Sequence, residues 1–132
     1  MSPREDSPYP ADWVRVACQD WHRIYVMLAD GDGEGAALFL QQALEKFLKA
    51  FLLQHGWKLR KIHTLQSLLD DAAGFGASLA RFRPVCERVS GYYIAERYPS
   101  LGADSLDTDD VQRELPEARA LVQALFPEVS LE

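Results

Sequence analysis

Cysteine and long apolar stretches are scarce in this sequence of 132 residues. The two cysteines, Cys18 and Cys86, are too few for a disulfide framework or a zinc site, and their apolar neighbours predict buried thiols. No apolar run is long enough to span a bilayer. The charged, proline-rich N-terminus lacks the apolar segment of a secretory signal. These absences predict a cytoplasmic protein with no membrane segment, no metal and no cofactor.

The alternation of apolar and polar residues that marks β-strands is also absent. Apolar residues instead recur every three or four positions, which predicts helices over about residues 11–29, 36–55 and 77–98, and others beginning near Thr64 and Thr108. Pro116 should kink or split the last of these. We therefore expect an all-α fold: an antiparallel up-and-down four-helix bundle plus a short additional helix. The single domain should span residues 11–127, after a disordered lead-in at 1–10 and before a tail at 128–132.

The segment 36–55 contains no proline, glycine or β-branched residue and is the strongest helix signal in the chain. Its polar side chains fall in one sector of the helix: Gln41, Gln42, Glu45, Lys46 and Lys49. Apolar side chains cover most of the remaining circumference: Leu40, Ala43, Leu44, Phe47, Leu48, Ala50 and Phe51. A helix that is apolar over more than half of its surface must be surrounded by several neighbours. We expect it to be the central helix of the bundle, with one polar edge.

The net charge of −6 is unevenly distributed. Basic and acidic residues balance over positions 1–100, whereas positions 101–132 hold two arginines and eight acids. The basic band at positions 46–69 contains no acid and five cations: Lys46, Lys49, Lys58, Arg60 and Lys61. This band either binds an anionic ligand or is neutralised by the acidic C-terminal segment.

Several short motifs occur in a recognisable order along the predicted helices: Trp13 with Ala17 and Asp20, QQALEK at 41–46, Lys49-Ala50, His63-Thr64-Leu65 with Leu68-Leu69, and YIAERYP at 93–99. Together they resemble the HEPN family (higher eukaryote and prokaryote nucleotide-binding domains) over about residues 11–126. The resemblance implies a bundle of four long helices and a shorter one, commonly a homodimer. In prokaryotes such proteins often accompany a minimal nucleotidyltransferase, and some are metal-independent ribonucleases that act as toxins in toxin-antitoxin systems.

The ribonuclease members of the family carry an arginine followed, four to six residues later, by a histidine near the end of the fourth helix. Arg97 stands in a matching place, but no histidine follows it. Arg15 and His22 have the spacing but lie in the first helix. Without a partner to take the 2′-hydroxyl proton, Arg97 is only a weak catalytic candidate. We therefore do not expect an enzyme.

The predicted ligand-binding residues are Lys46, Lys49, His63, Arg97 and Tyr98, with Gln42 and Glu45 as a supporting network. Lys46 and Lys49 can offer two ammonium groups to one phosphate, and Tyr98 can stack on a base. Structural alternatives remain open. Glu45 and Lys49 have the spacing of an ordinary helical ion pair, and His63 can form local hydrogen bonds at a helix N-terminus.

Three functions are compatible with these residues. The first is a dimeric module that binds a nucleotide or nucleic acid such as RNA and works with a minimal nucleotidyltransferase. The second is a metal-independent ribonuclease toxin that uses Arg97. The third is a structural or antitoxin-like partner that binds no ligand.

Overall fold

The computed structural model describes residues 7–60, 64–97 and 106–131, and the side chains of 93–97 fall outside this description. Five α-helices are present: α1 (Pro10–Ala29), α2 (Gly33–Gln54), α3 (Leu65–Ala73), α4 (Arg83–Arg97) and α5 (Thr108–Leu125). A 3₁₀ helix, Ala77–Phe82, leads into α4. The described residues contain no strand. The prediction of an all-α bundle is confirmed.

Helix α2 lies at the centre of the bundle and packs against α1, α3, α4 and α5. The apolar residues predicted to cover its circumference are all buried, and Leu40, Leu44, Phe47 and Leu48 are completely so. Burial of each such side chain stabilises the fold by roughly 1.5–3 kcal/mol before entropy is counted. The prediction of a central helix surrounded by its neighbours is therefore confirmed.

Residues at both ends of the described chain pack against the bundle, although the sequence pattern places them outside the domain. Ser7 is buried, its carbonyl accepts a hydrogen bond from Trp13 Nε1 at 2.9 Å, and its hydroxyl donates to Asp12 at 2.8 Å. At the other end Leu131 lies in the apolar core. Ser7 of the expected lead-in and Leu131 of the expected tail therefore pack against the bundle, and residues 1–6, also expected to be disordered, lie outside the described residues. Single residues beyond a helix give no periodic signal, which is why the pattern did not include them.

Helix α5 begins at Thr108, as predicted. It runs without interruption through Pro116, so of the two outcomes expected there, a kink or a split, the split does not occur. The carbonyl that loses its hydrogen bond belongs to Gln112, and both residues are exposed, so water can replace the missing N–H. The N-cap is Asp107. Asp107 forms a reciprocal capping box with Asp110, with hydrogen bonds of 2.9 and 3.0 Å.

Helix α3 is capped from another helix. Thr64 occupies the N-cap position, but its side chain makes no capping hydrogen bond. The first backbone N–H of the helix, that of Leu65, donates instead to Ser90 Oγ on α4 at 3.2 Å. This bond satisfies a buried donor and links α3 directly to α4.

A buried carboxylate joins α4 to α5. The side chain of Glu114 is 7% exposed and accepts hydrogen bonds from Arg88 Nε at 3.0 Å and from the Tyr92 hydroxyl at 2.8 Å. Arg88 also reaches Glu117 at 3.2 Å. Burial, together with the Glu114 carboxylate, raises the pKa of Tyr92 to about 12. These contacts hold in place the helix whose last residue is Arg97.

Gly33 lies where the start of α2 approaches the start of α5. A substitution at Gly33 should therefore strongly destabilise the fold. Replacement by alanine should lower the free energy of unfolding by about 1–3 kcal/mol, because the added Cβ would overlap the backbone of Leu106 and Asp107. Gly91 in α4 is a matched control with open space around the new methyl group, and Gly91→Ala should be stabilising by about 0.5–1 kcal/mol. Urea unfolding measures both, and equal effects would contradict the close approach.

The hydrogen bond between Tyr92 and Glu114 predicts that the stability of the fold depends on pH. Its folded pKa of about 12 lies above the unfolded value of 10, so its contribution to stability is complete below pH 10. That contribution is lost as the pH rises through about 12. Tyrosinate absorbance should show a late component near pH 12 that disappears in Tyr92→Phe and survives in Tyr9→Phe, which removes an exposed ring. A late component that persists in Tyr92→Phe would contradict the assignment.

Candidate functional site

A cluster of polar side chains, made of two hydrogen-bonded groups, lies on α1 and on the polar edge of α2. Its members, called here the α1–α2 charge cluster, are Asp20, Arg23, Gln41, Glu45, Lys46 and Lys49. Asp20 accepts hydrogen bonds from Arg23 Nη1 at 2.7 Å and from Lys46 Nζ. Glu45 accepts from Lys49 Nζ at 2.8 Å and from Gln41 Nε2 at 3.0 Å. The polar edge predicted for α2 thus meets a polar position on α1.

The position of Asp20 follows from the periodicity of α1. Trp13, Ala17 and Ile24 form the buried stripe of this helix, and Asp20 lies three residues after Ala17 and four before Ile24. The same helical spacing therefore turns its carboxylate towards α2. Its side chain is only 2% exposed, so it needs partners that replace the hydrogen bonds of water.

The cluster as a whole carries an excess positive charge. Three cations face two carboxylates, so the formal sum is +1 at neutral pH. The Arg23 side chain is 40% exposed, whereas those of Lys46 and Lys49 are 14% and 5% exposed. The Lys49 ammonium also lies 5.5 Å from the ring centre of Trp13, a cation–π distance. The cluster is therefore open to solvent mainly at Arg23.

The structure brings together three of the residues predicted for the site. Lys46, Lys49 and Glu45 belong to the cluster, and the alternative of an i, i+4 pair between Glu45 and Lys49 is present within it. Among the described residues Gln41, rather than Gln42, hydrogen-bonds to Glu45. The role of these residues in binding a ligand stays a prediction.

The remaining predicted site residues are not described in full. Arg97 is the last residue of α4, but its side chain falls outside the described part of the chain. His63 and Tyr98 lie entirely outside it. Their assignment as ligand-binding residues also stays a prediction.

Three cations of the basic band are paired, but not with the C-terminal segment, and Lys61 lies outside the described residues. Lys46 pairs with Asp20, Lys49 with Glu45, and Arg60 with Asp71 at 2.9 Å. Among the described residues, the acids of the C-terminal segment pair with arginines outside the band: Glu114 and Glu117 with Arg88, and Asp110 with Arg113. The partners of the band thus come from α1, α2 and α3.

Asp20, Arg23 and Gln41 were not among the predicted site residues. A signal for Asp20 was present, because an acid inside an apolar stripe needs a cationic partner on the helix it faces. Arg23 follows from it at i+3. Gln41 gave no usable signal, since its burial depends on how closely α2 approaches its neighbours.

The described residues offer few other chemical groups. They include no set of three or more histidine, cysteine or acidic side chains placed to hold a metal ion. No helix among them combines the length and apolarity needed to cross a membrane. Cys86 is buried, as predicted, and Cys18 is partly buried. Burial raises the pKa of the Cys86 thiol to about 12 and raises that of Cys18, so both remain protonated at neutral pH.

Comparison with known proteins identifies the family. The protein TT1696 from Thermus thermophilus is similar in structure, with a TM-score of 0.80 and 22% sequence identity over 91% of this chain and 98% of that chain. At this identity the likeness shows the fold alone. No curated protein matches the sequence. The model of the HEPN domain matches residues 10–128, which include all five α-helices. The chain therefore belongs to the HEPN domain family.

Proposed function

We propose that this HEPN protein is a binding module for a nucleotide or nucleic acid, that it acts as a homodimer, and that it works with a minimal nucleotidyltransferase. The phosphate binds at the α1–α2 charge cluster. The observation that carries the proposal is the excess positive charge of this cluster, with Arg23 at its exposed side.

Arg23 and Lys46 retain donors after they have bound Asp20. A guanidinium has five N–H donors and an ammonium three, and Asp20 takes one from each. A phosphate at the opening of the cluster accepts the remaining hydrogen bonds, which are strong because both donors are charged. Asp20 holds the two cations in position, so less side-chain entropy is lost when the anion binds.

The other predicted residues complete this proposed site. Arg97 and His63 add donors to the phosphate, and Tyr98 stacks on the base. Asp20 and Glu45 oppose an anion, so affinity is modest and falls as salt screens the excess charge. We expect a dissociation constant on the order of 1 mM for a mononucleotide.

Backbone amide spectra during titration with AMP test the proposal. Shifts should concentrate at positions 20–23 and 41–49 and saturate in the millimolar range. Lys46→Met keeps the apolar stem but removes the charge, and it should weaken binding about tenfold, the effect of losing one charge-assisted hydrogen bond. Lys58→Met is the matched control, because Lys58 is exposed on the same basic band but lies outside the cluster.

Two outcomes would contradict the proposal. One is the absence of shifts at the cluster at tens of millimolar AMP. The other is equal affinity of wild type and Lys46→Met when thermal unfolding shows that the variant is folded. A shift confined to the neighbourhood of Lys58 would place the anion elsewhere on the basic band.

A further inference from the structure

Arg119 on α5 is a partly buried cation with no carboxylate in ion-pair distance among the described residues. Five other described arginines each pair with an acid: Arg23, Arg60, Arg83, Arg88 and Arg113. Arg15 and Arg81 have no such pair either, but both are exposed. Among the arginine side chains that the structure describes, Arg119 is thus distinctive in being partly buried without an opposite charge.

Two aromatic side chains of α1 hold Arg119. Its Nη2 donates a hydrogen bond to the Tyr25 hydroxyl, and its guanidinium carbon lies 5.8 Å from the ring centre of Trp21. Trp21 Nε1 donates to the same hydroxyl at 3.1 Å. The two rings meet edge to face, with centroids 6.4 Å apart. The three side chains form one unit across α1 and α5.

Within this unit the hydrogen-bond acceptor is fully occupied, and only donors remain for a ligand. The Tyr25 oxygen already accepts from Trp21 and from Arg119, so its two lone pairs are occupied. Its own hydrogen has no acceptor among the described residues. Arg119 has further N–H groups beyond the one given to Tyr25. The unit therefore presents an O–H and several N–H groups together with a full positive charge.

No acid of α1 or α5 is directed at this unit. Asp20, the one acid between Trp13 and Ala29, lies five positions before Tyr25, about 140° away around the helix, and binds Lys46. On α5, Glu114 and Glu117 are turned towards Arg88 of α4.

Two exposed basic residues of α1 lie on the side of the helix that carries Tyr25. His22 precedes Tyr25 by three positions, and Arg15 lies two turns before His22. Because Arg119 has no described carboxylate in ion-pair distance, a doubly charged anion gains more from its charge than a singly charged one.

We propose that Trp21, Tyr25 and Arg119 form a binding site for a phosphate group, on the opposite side of α1 from the α1–α2 charge cluster. A tetrahedral phosphate accepts hydrogen bonds from the Tyr25 hydroxyl and the Arg119 guanidinium at once. A carboxylate can also pair with the guanidinium. It has two oxygens where a terminal phosphate group has three, and it carries half the charge, so it satisfies the hydroxyl less well. The site is independent of the function proposed above and remains if that function is disproved.

The indole N–H signals of the three tryptophans report separately on the two sites. Trp21 lies in the proposed phosphate site, and Trp13 lies beside Lys49 in the charge cluster. Trp57 donates to Asp71 and reports on the basic band beside Lys58 and Arg60. We suggest titrating the full chain with inorganic phosphate, with AMP, and with acetate at matched ionic strength.

Phosphate and AMP should shift the Trp21 signal to saturation in the millimolar range, and acetate should bind at least about tenfold more weakly. Arg119→Gln and Tyr25→Phe should each weaken phosphate binding about tenfold, because each removes a donor. Arg113→Gln is the matched control, since Arg113 lies on the same helix but is exposed and paired with Asp110. Lys46→Met should leave the Trp21 response unchanged.

Several results would overturn the site. They are an unresponsive Trp21 signal in the wild type, equal affinity for acetate and phosphate, or unchanged affinity in both Arg119→Gln and folded Tyr25→Phe. Loss of the Trp21 response in Lys46→Met would assign the effect to the charge cluster instead. If Arg119→Gln fails to fold, Tyr25→Phe decides alone, because it removes the hydroxyl and keeps the ring.

Discussion

The ion pair between Asp20 of α1 and Lys46 of α2 constrains how the two helices pack. The apolar surface of α2 is nearly continuous, and apolar contacts alone allow several rotations of one helix on the other. A buried carboxylate is different, because without a partner it costs several kcal/mol. Arg23 pairs with Asp20 within α1, so Lys46 is the partner that depends on how α2 packs. The same arrangement places Trp13 beside Lys49. One charge pair therefore accounts for both the register of the helices and the shape of the cluster.

Helix α1 separates two groups of cations. On one side Asp20 and Glu45 largely neutralise Arg23, Lys46 and Lys49. On the other side Arg119 is held by the Tyr25 hydroxyl and the Trp21 ring, and no carboxylate of the described residues lies in ion-pair distance. The two environments differ in the charge that remains for an anion.

Most of the fold could be predicted because it depends on local periodicity. Leu44, Phe47 and Leu48 were expected to be buried from their spacing, and they are. The features that periodicity does not give depend on contacts outside the helical repeat, on solvent or on another helix. Ser7 hydrogen-bonds to Trp13 from outside α1, and Pro116 is tolerated because it and Gln112 are both exposed. The partners of Lys46 and Arg119 likewise lie on another helix, and the sequence of one helix does not specify which neighbour it meets.

A double-mutant cycle of Asp20→Asn and Lys46→Met, measured by urea unfolding, tests the central constraint most directly. If the buried pair sets the register of α1 and α2, the two effects should be coupled by about 1–3 kcal/mol. The same cycle on the more exposed pair Arg60 and Asp71 should give less than about 1 kcal/mol. Additive effects of Asp20→Asn and Lys46→Met, within about 0.5 kcal/mol, would show that the pair is incidental and would contradict this account.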